Sequence, residues 1–136
     1  MKKNLLLLAF GVALAATAGS LFLSEVLHWT PCVLCWYQRT MLYPLVIIFG
    51  VATIKNISNL EFVVWPLTLV GGLIALYHNL LQDKIIPESL APCTINASCL
   101  TPYHIGFNFL TVPLLSLLTF IAIAVIMYFY RKASNE

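Results

Sequence analysis

The sequence predicts an all-α membrane protein, a four-helix transmembrane bundle with both termini cytoplasmic. Three observations carry this. First, hydrophobic residues make up 61% of the 136 positions and charged ones only 9%, with a mean hydropathy of +0.94. A water-soluble domain of this size needs a more polar surface. Second, four apolar stretches, about 5–27, 35–54, 62–81 and 110–130, are each long enough to span a bilayer, which takes roughly 20 residues of helix. Third, Lys2, Lys3, Lys55, Arg131 and Lys132 fall on one side of such a bundle, and only Lys84 in the loops of the other. Lys and Arg near helix ends favour the cytoplasmic side. The whole chain, 1–136, therefore reads as one transmembrane domain with two outer loops, about 28–34 and 82–109. The net charge of +2 comes with no basic patch outside the loops, so no nucleic acid partner is expected.

The first span begins like a secretory signal: Met1–Lys3, an apolar run, then Ala16-Thr17-Ala18, an A-x-A pattern. The apolar run continues through Leu21, Phe22, Leu23, Val26 and Leu27, so retention as a membrane helix is expected. Gly11, Ala15 and Gly19 are spaced by four and suggest a packing stripe, because small residues let helix backbones approach closely. Glu25 lies near the outer end. A carboxylate in a membrane segment can be a proton or cation site, but this one is close enough to the loop to reach water.

The second span carries the most informative feature, Cys32-Val33-Leu34-Cys35 with Arg39 one turn deeper. Thr30 suits an N-cap and Pro31 the first helical position. Cys32 then falls where unpaired backbone amides and the helix dipole favour a thiolate. Around such a helix Cys35 lies about 60° and Arg39 about 20° from Cys32, with Arg39 roughly 10 Å deeper. All three share one face. Tyr43 continues it as packing, and Trp36 and Tyr37 suit the interfacial belt.

The third span holds Pro66 and Gly71-Gly72, a kink and a close-packing point, and ends in Tyr77-His78-Asn79. Antiparallel packing puts His78 near the depth of Cys35 and Arg39. It can cap a backbone carbonyl or contact a ligand, and the residues leave both open. The long outer loop contains Pro87, Pro92 and Pro102, which exclude a continuous helix. The fragment 85–90 can lie along the membrane surface. Cys93 and Cys99 bracket five residues, a span that a disulfide can close. The fourth span, with Thr111, Pro113, Ser116 and Thr119 and an aromatic end at Tyr128-Phe129-Tyr130, reads as a structural wall.

All four cysteines thus fall on the outer, oxidising side, where disulfides persist. Haem attachment needs a histidine after the second cysteine, and Trp36 stands there. A four-thiolate zinc site from Cys32, Cys35, Cys93 and Cys99 is conceivable, but the second spacing is long and the compartment disfavours free thiolates. Redox exchange accounts for more: one pair in an accessible loop, the other at the bilayer edge beside a cation. A partner's thiolate attacks the loop disulfide, and exchange passes the electrons to Cys32–Cys35. The pair then needs a two-electron acceptor soluble in lipid, and a quinone fits. Arg39 can stabilise the Cys35 thiolate and charge developing on a quinone oxygen. Cys35, deeper and nearer Arg39, is assigned to the quinone and Cys32 to exchange with the loop pair. No metal is assigned.

The run Ser24-Glu25-Val26 and the run Pro31-Cys32-Val33-Leu34-Cys35-Trp36-Tyr37-Gln38-Arg39 resemble the DsbB/BdbC family of membrane disulfide-bond-forming proteins. The loop pair and four-helix layout are similar too, so the resemblance covers nearly the whole chain. The short outer loop and Trp-Tyr-Gln-Arg look closest to the BdbC branch. The loop cysteines stand closer in sequence than in the longer enterobacterial members. The resemblance implies a bacterial inner or plasma membrane protein that oxidises a thioredoxin-like extracytoplasmic partner and passes electrons to ubiquinone or menaquinone. It implies that Cys93 takes the mixed disulfide, that Arg39 is the quinone-proximal arginine, and that His78 is the histidine near the quinone. Two rival classes make different demands. A small four-helix multidrug-type transporter needs Glu25 and no cysteine. A metal-binding or structural membrane subunit needs bound zinc and thiols that resist oxidant.

Overall fold

A residue in a lipid-spanning helix has every interior backbone group bonded within its own segment, which is why apolar stretches of this length become helices. The computed structural model describes residues 2–26, 33–55, 57, 59–82 and 112–135. These form four helices: α1 Lys2–Glu25, α2 Val33–Lys55, α3 Glu61–Gln82 and α4 Val112–Asn135. All four are long and apolar enough to cross a membrane. The fold is an all-α membrane bundle. Each helix packs against its two neighbours, α1 on α2 and α4, and α3 on α2 and α4. The cap at Thr30-Pro31, the surface fragment 85–90 and the rest of the outer loop lie outside the described residues.

The helix ends differ from the sequence reading in one instructive place. α4 was expected to stop at Tyr130 with the apolar run, but it continues to Asn135 through Arg131 and Lys132. Basic residues at a helix C-terminus complement its dipole, so the helix outlasts its hydrophobic segment. α3 begins after a tight turn in which Asn59 takes φ 59°, a left-handed conformation that asparagine tolerates better than most residues. Pro44 and Pro66 both lie inside helices that continue past them.

The packing stripe on α1 is not the one expected. Gly11, Ala15 and Gly19 are exposed, and a methyl added at Gly11 or Gly19 would meet nothing within 4 Å. The buried face is the opposite one, Leu6, Ala9 and Ala13. α1 carries two rows of small residues, and the bundle uses the alanine row, whose methyls add contact that glycine cannot. The close-packing point on α3 is where the sequence put it. Gly71 is buried beneath the Phe120 ring of α4.

The core joins all four helices through Ala9, Leu45, Phe49, Val64, Ala75, Phe120, Ile123 and Met127. Large apolar side chains such as Ile47, Ile54, Phe62 and Leu73 are exposed on the outside. In a lipid-facing bundle that surface needs no further cover. The core runs from the middle of the bundle to the end where α1 begins, where it includes Leu6, Ala52 and Leu60. Towards the end where α1 finishes and α2 begins, it gives way to a polar layer.

Candidate active site: an arginine clamped between helices

Two consecutive residues of α2, Gln38 and Arg39, supply that layer. Successive residues of a helix point about 100° apart, so the pair addresses two different neighbours. Arg39 turns to α1 and Gln38 to α3.

Arg39 is 8% exposed. Its Nε donates to Ser20 Oγ at 2.7 Å and its Nη2 to the Ser20 carbonyl at 2.8 Å. Nη2 also donates to Ser24 Oγ, and Ser24 Oγ in turn donates to the Ser20 carbonyl at 3.0 Å. Ser20 and Ser24 stand four apart on one face of α1, so one guanidinium edge meets both. On its other side the guanidinium carbon lies 5.1 Å from the centroid of the Trp36 ring, within cation–π range. Every one of these partners is neutral. Among the described residues, Arg39 has no carboxylate partner, so none of them cancels its buried positive charge. Such a charge is costly to bury without a purpose or a counter-charge.

Gln38 is 6% and His78 1% exposed. The Gln38 amide nitrogen lies 3.1 Å from His78 Nδ1. An amide N–H donates, so Nδ1 is the acceptor in this contact. The expected depth of His78, level with Arg39, is therefore the observed one.

Cys35 lies in the first turn of α2, where free backbone amides and the positive end of the helix dipole favour an anion. Arg39 follows four residues on, about 6 Å along the axis and on nearly the same face. Cys32, Cys93 and Cys99 lie outside the described residues, as does the Cys35 side chain. Glu25 ends α1 and is exposed, consistent with contact to water. Trp36 and Tyr37 are half exposed, as interfacial aromatics are. Tyr43 packs one turn deeper, half-buried, its hydroxyl without a partner among the described residues.

Sequence reasoning singled out Arg39 and His78, quoted Ser24 and Gln38 only within the family-like runs without giving them a role, and did not name Ser20. A signal was present. A buried guanidinium must find acceptors, and an i, i+4 serine pair stands on the antiparallel neighbour at the matching depth. Serine in a membrane helix reads first as a neutral packing residue, and this masks its role.

A family model described as "Disulfide bond formation protein DsbB" matches residues 2–130. Disulfide bond formation protein C of Bacillus subtilis is 38% identical over 92% of this chain and 91% of its own length. A probable disulfide formation protein of Metapseudomonas resinovorans is 39% identical over 99% and 94%. A probable disulfide formation protein of Deinococcus radiodurans is 38% identical over 93% and 88%. No solved structure matches the chain. With a family match across nearly all its length and relatives of this similarity, the chain belongs to the DsbB family of disulfide bond formation proteins.

Proposed function

We propose that the protein is a thiol:quinone oxidoreductase that reoxidises an extracytoplasmic thioredoxin-like thiol oxidase and passes the electrons to ubiquinone or menaquinone. Disulfide formation is a thiol oxidation, so the family's work is oxidoreductase chemistry, and an oxidase needs a terminal acceptor. The chain acts as one unit in the bacterial inner or plasma membrane, termini in the cytoplasm and cysteines outside.

In this reading a thiolate of the reduced partner attacks Cys93 of the Cys93–Cys99 disulfide and expels the Cys99 thiolate. The partner's second thiolate then breaks the mixed disulfide, leaving an oxidised partner and a reduced loop pair. Cys99 attacks Cys32 of the Cys32–Cys35 disulfide and expels the Cys35 thiolate. Cys93 closes on Cys99 and frees Cys32. A quinone, when bound, supplies the two-electron sink, accepting two electrons and two protons as Cys32 and Cys35 close their disulfide again. Arg39 holds the Cys35 thiolate by charge. Gln38, beside Arg39 on the same helix turn, holds the His78 ring through Nδ1.

The observation that carries the reading is the buried charge of Arg39 with neutral partners, one turn from Cys35. A carboxylate partner would cancel that charge. Serine hydroxyls and a carbonyl fix the guanidinium and leave its charge to act on a thiolate or a carbonyl oxygen. That donor chemistry suits a quinone. The test is quinone reduction by purified protein supplied with a reduced thioredoxin-fold donor. Stoichiometric loss of donor thiols and quinone is expected, and no quinone consumption would end the reading.

A further inference from the structure

Arg39 has five N–H bonds to offer. One from Nε goes to Ser20 Oγ, and two from Nη2 go to the Ser20 carbonyl and to Ser24 Oγ. Nη1 has no partner among the described residues. The clamp is therefore one-sided: α1 occupies one edge of the planar fork and turns the other away from itself. The hydroxyls are also chemically specific. Ser24 Oγ accepts from Nη2 and donates to the Ser20 carbonyl, so acceptor and donor capacity are both used, in a chain that ends on neutral backbone.

We infer that Ser20 and Ser24 of α1 are positioning residues for Arg39, which take its Nε and Nη2 so that Nη1 is presented, with its charge intact, to the oxygen of the electron acceptor. The inference rests on the quinone reading above. It makes the last turns of α1 part of the acceptor site, although α1 contributes no cysteine and no ion to it. It also states why the holding groups are hydroxyls. An alanine would leave the guanidinium unaimed, and a carboxylate would aim it but neutralise it.

The two serines can be tested for aim and for charge separately. Affinity for a short-chain ubiquinone is read at equilibrium in the full-length resting protein, from quenching of tryptophan fluorescence. Trp36 stands beside the guanidinium, and a Trp36→Phe control assigns its share of the signal. Thermal unfolding is followed in parallel. Ser20→Ala/Ser24→Ala is expected to weaken binding about tenfold, the scale of one charge-assisted hydrogen bond, and to do nothing further when Arg39→Ala is already present. Ser24→Thr, which keeps the hydroxyl, is expected to bind like the parent. Ser24→Asp is the sharpest arm: an ion pair with Arg39 should hold or raise the melting temperature while quinone affinity falls. A merely structural clamp predicts the reverse for that variant, unchanged affinity with better stability, and that result overturns the inference. So does parental affinity in Ser20→Ala/Ser24→Ala, or an effect that simply adds to that of Arg39→Ala. If the parent protein itself neither binds nor reduces the quinone, the oxidoreductase reading fails first. If it does both and the serine variants match it, only the role of the serines fails.

Discussion

Gln38 and His78 face each other across the contact between α2 and α3, amide nitrogen to Nδ1 at 3.1 Å, both almost fully buried. A hydrogen bond of this kind contributes modestly while whole and becomes expensive when halved. Removing one partner strands the other without water, at a cost of about 1–3 kcal/mol, whereas replacing both with apolar groups can be nearly neutral.

The thermal unfolding of purified protein should follow that asymmetry. Gln38→Leu and His78→Leu are each expected to lower stability by about 1–3 kcal/mol. The double variant is expected to lose less than the sum, because the one bond between the two side chains is then removed only once. Costs that simply add would mean that the two side chains are neighbours without being coupled.

Glycine positions give a second, opposite pair of outcomes. A methyl at Gly71 would overlap the Phe120 ring, while one at Gly19 would meet nothing within 4 Å. Gly71→Ala should cost about 1–3 kcal/mol by overpacking, and part of that should return in Gly71→Ala/Phe120→Leu. Gly19→Ala should be neutral or up to about 1 kcal/mol stabilising, from helix propensity alone. Equal effects at the two sites would contradict the packing described.

These two glycines also mark where the sequence is legible and where it is not. Four spans could be read directly, because hydropathy and length are properties of a segment by itself. Their partners could not. Gly11-Ala15-Gly19 and Ala9-Ala13 are equally good rows of small residues, and only the shape of the neighbouring helices decides between them. The same division runs through the site. Arg39 and His78 stood out because a buried cation and an intramembrane imidazole are costly in lipid. Ser20, Ser24 and Gln38 are cheap there, and what singles them out is the residue each one faces. The end of α4 shows a third limit, since a helix set by the dipole and by solvent can run beyond its apolar stretch.

Thr68 makes a prediction of stabilisation. It is 3% exposed, and its hydroxyl has no hydrogen-bond partner among the described residues. Burying such a group unpaired costs free energy that an apolar isostere avoids. Thr68→Val keeps the shape and removes the hydroxyl, so its melting temperature should rise, by the equivalent of about 1 kcal/mol. A fall would show that the hydroxyl is satisfied.

Cys35→Ser separates the two halves of the proposed relay. The loop disulfide is untouched, so one equivalent of reduced donor should still be oxidised, and the mixed disulfide with the donor should still form. Without a Cys32–Cys35 disulfide nothing passes inwards, so donor oxidation should stop after that single equivalent and no quinone should be reduced. Donor oxidation and quinone loss, followed together under acid quench, check both statements. Continued turnover would remove Cys35 from the relay.

Arg39 admits two substitutions with different meanings. Lysine keeps the charge but places three donors on one nitrogen, and it cannot reproduce the planar fork that meets two hydroxyls and a carbonyl at once. Alanine removes the charge as well. Where a preorganised donor stabilises charge during reaction, its loss typically lowers kcat by about 100- to 1000-fold. Arg39→Ala should fall in that range for quinone reduction while donor exchange at the loop pair changes little. Arg39→Lys should lie between it and the parent, keeping electrostatic help to the Cys35 thiolate but losing aim. If lysine restores the full rate, charge alone suffices and the clamp on α1 is dispensable. If alanine leaves quinone kinetics untouched, the guanidinium serves only to join α1 to α2.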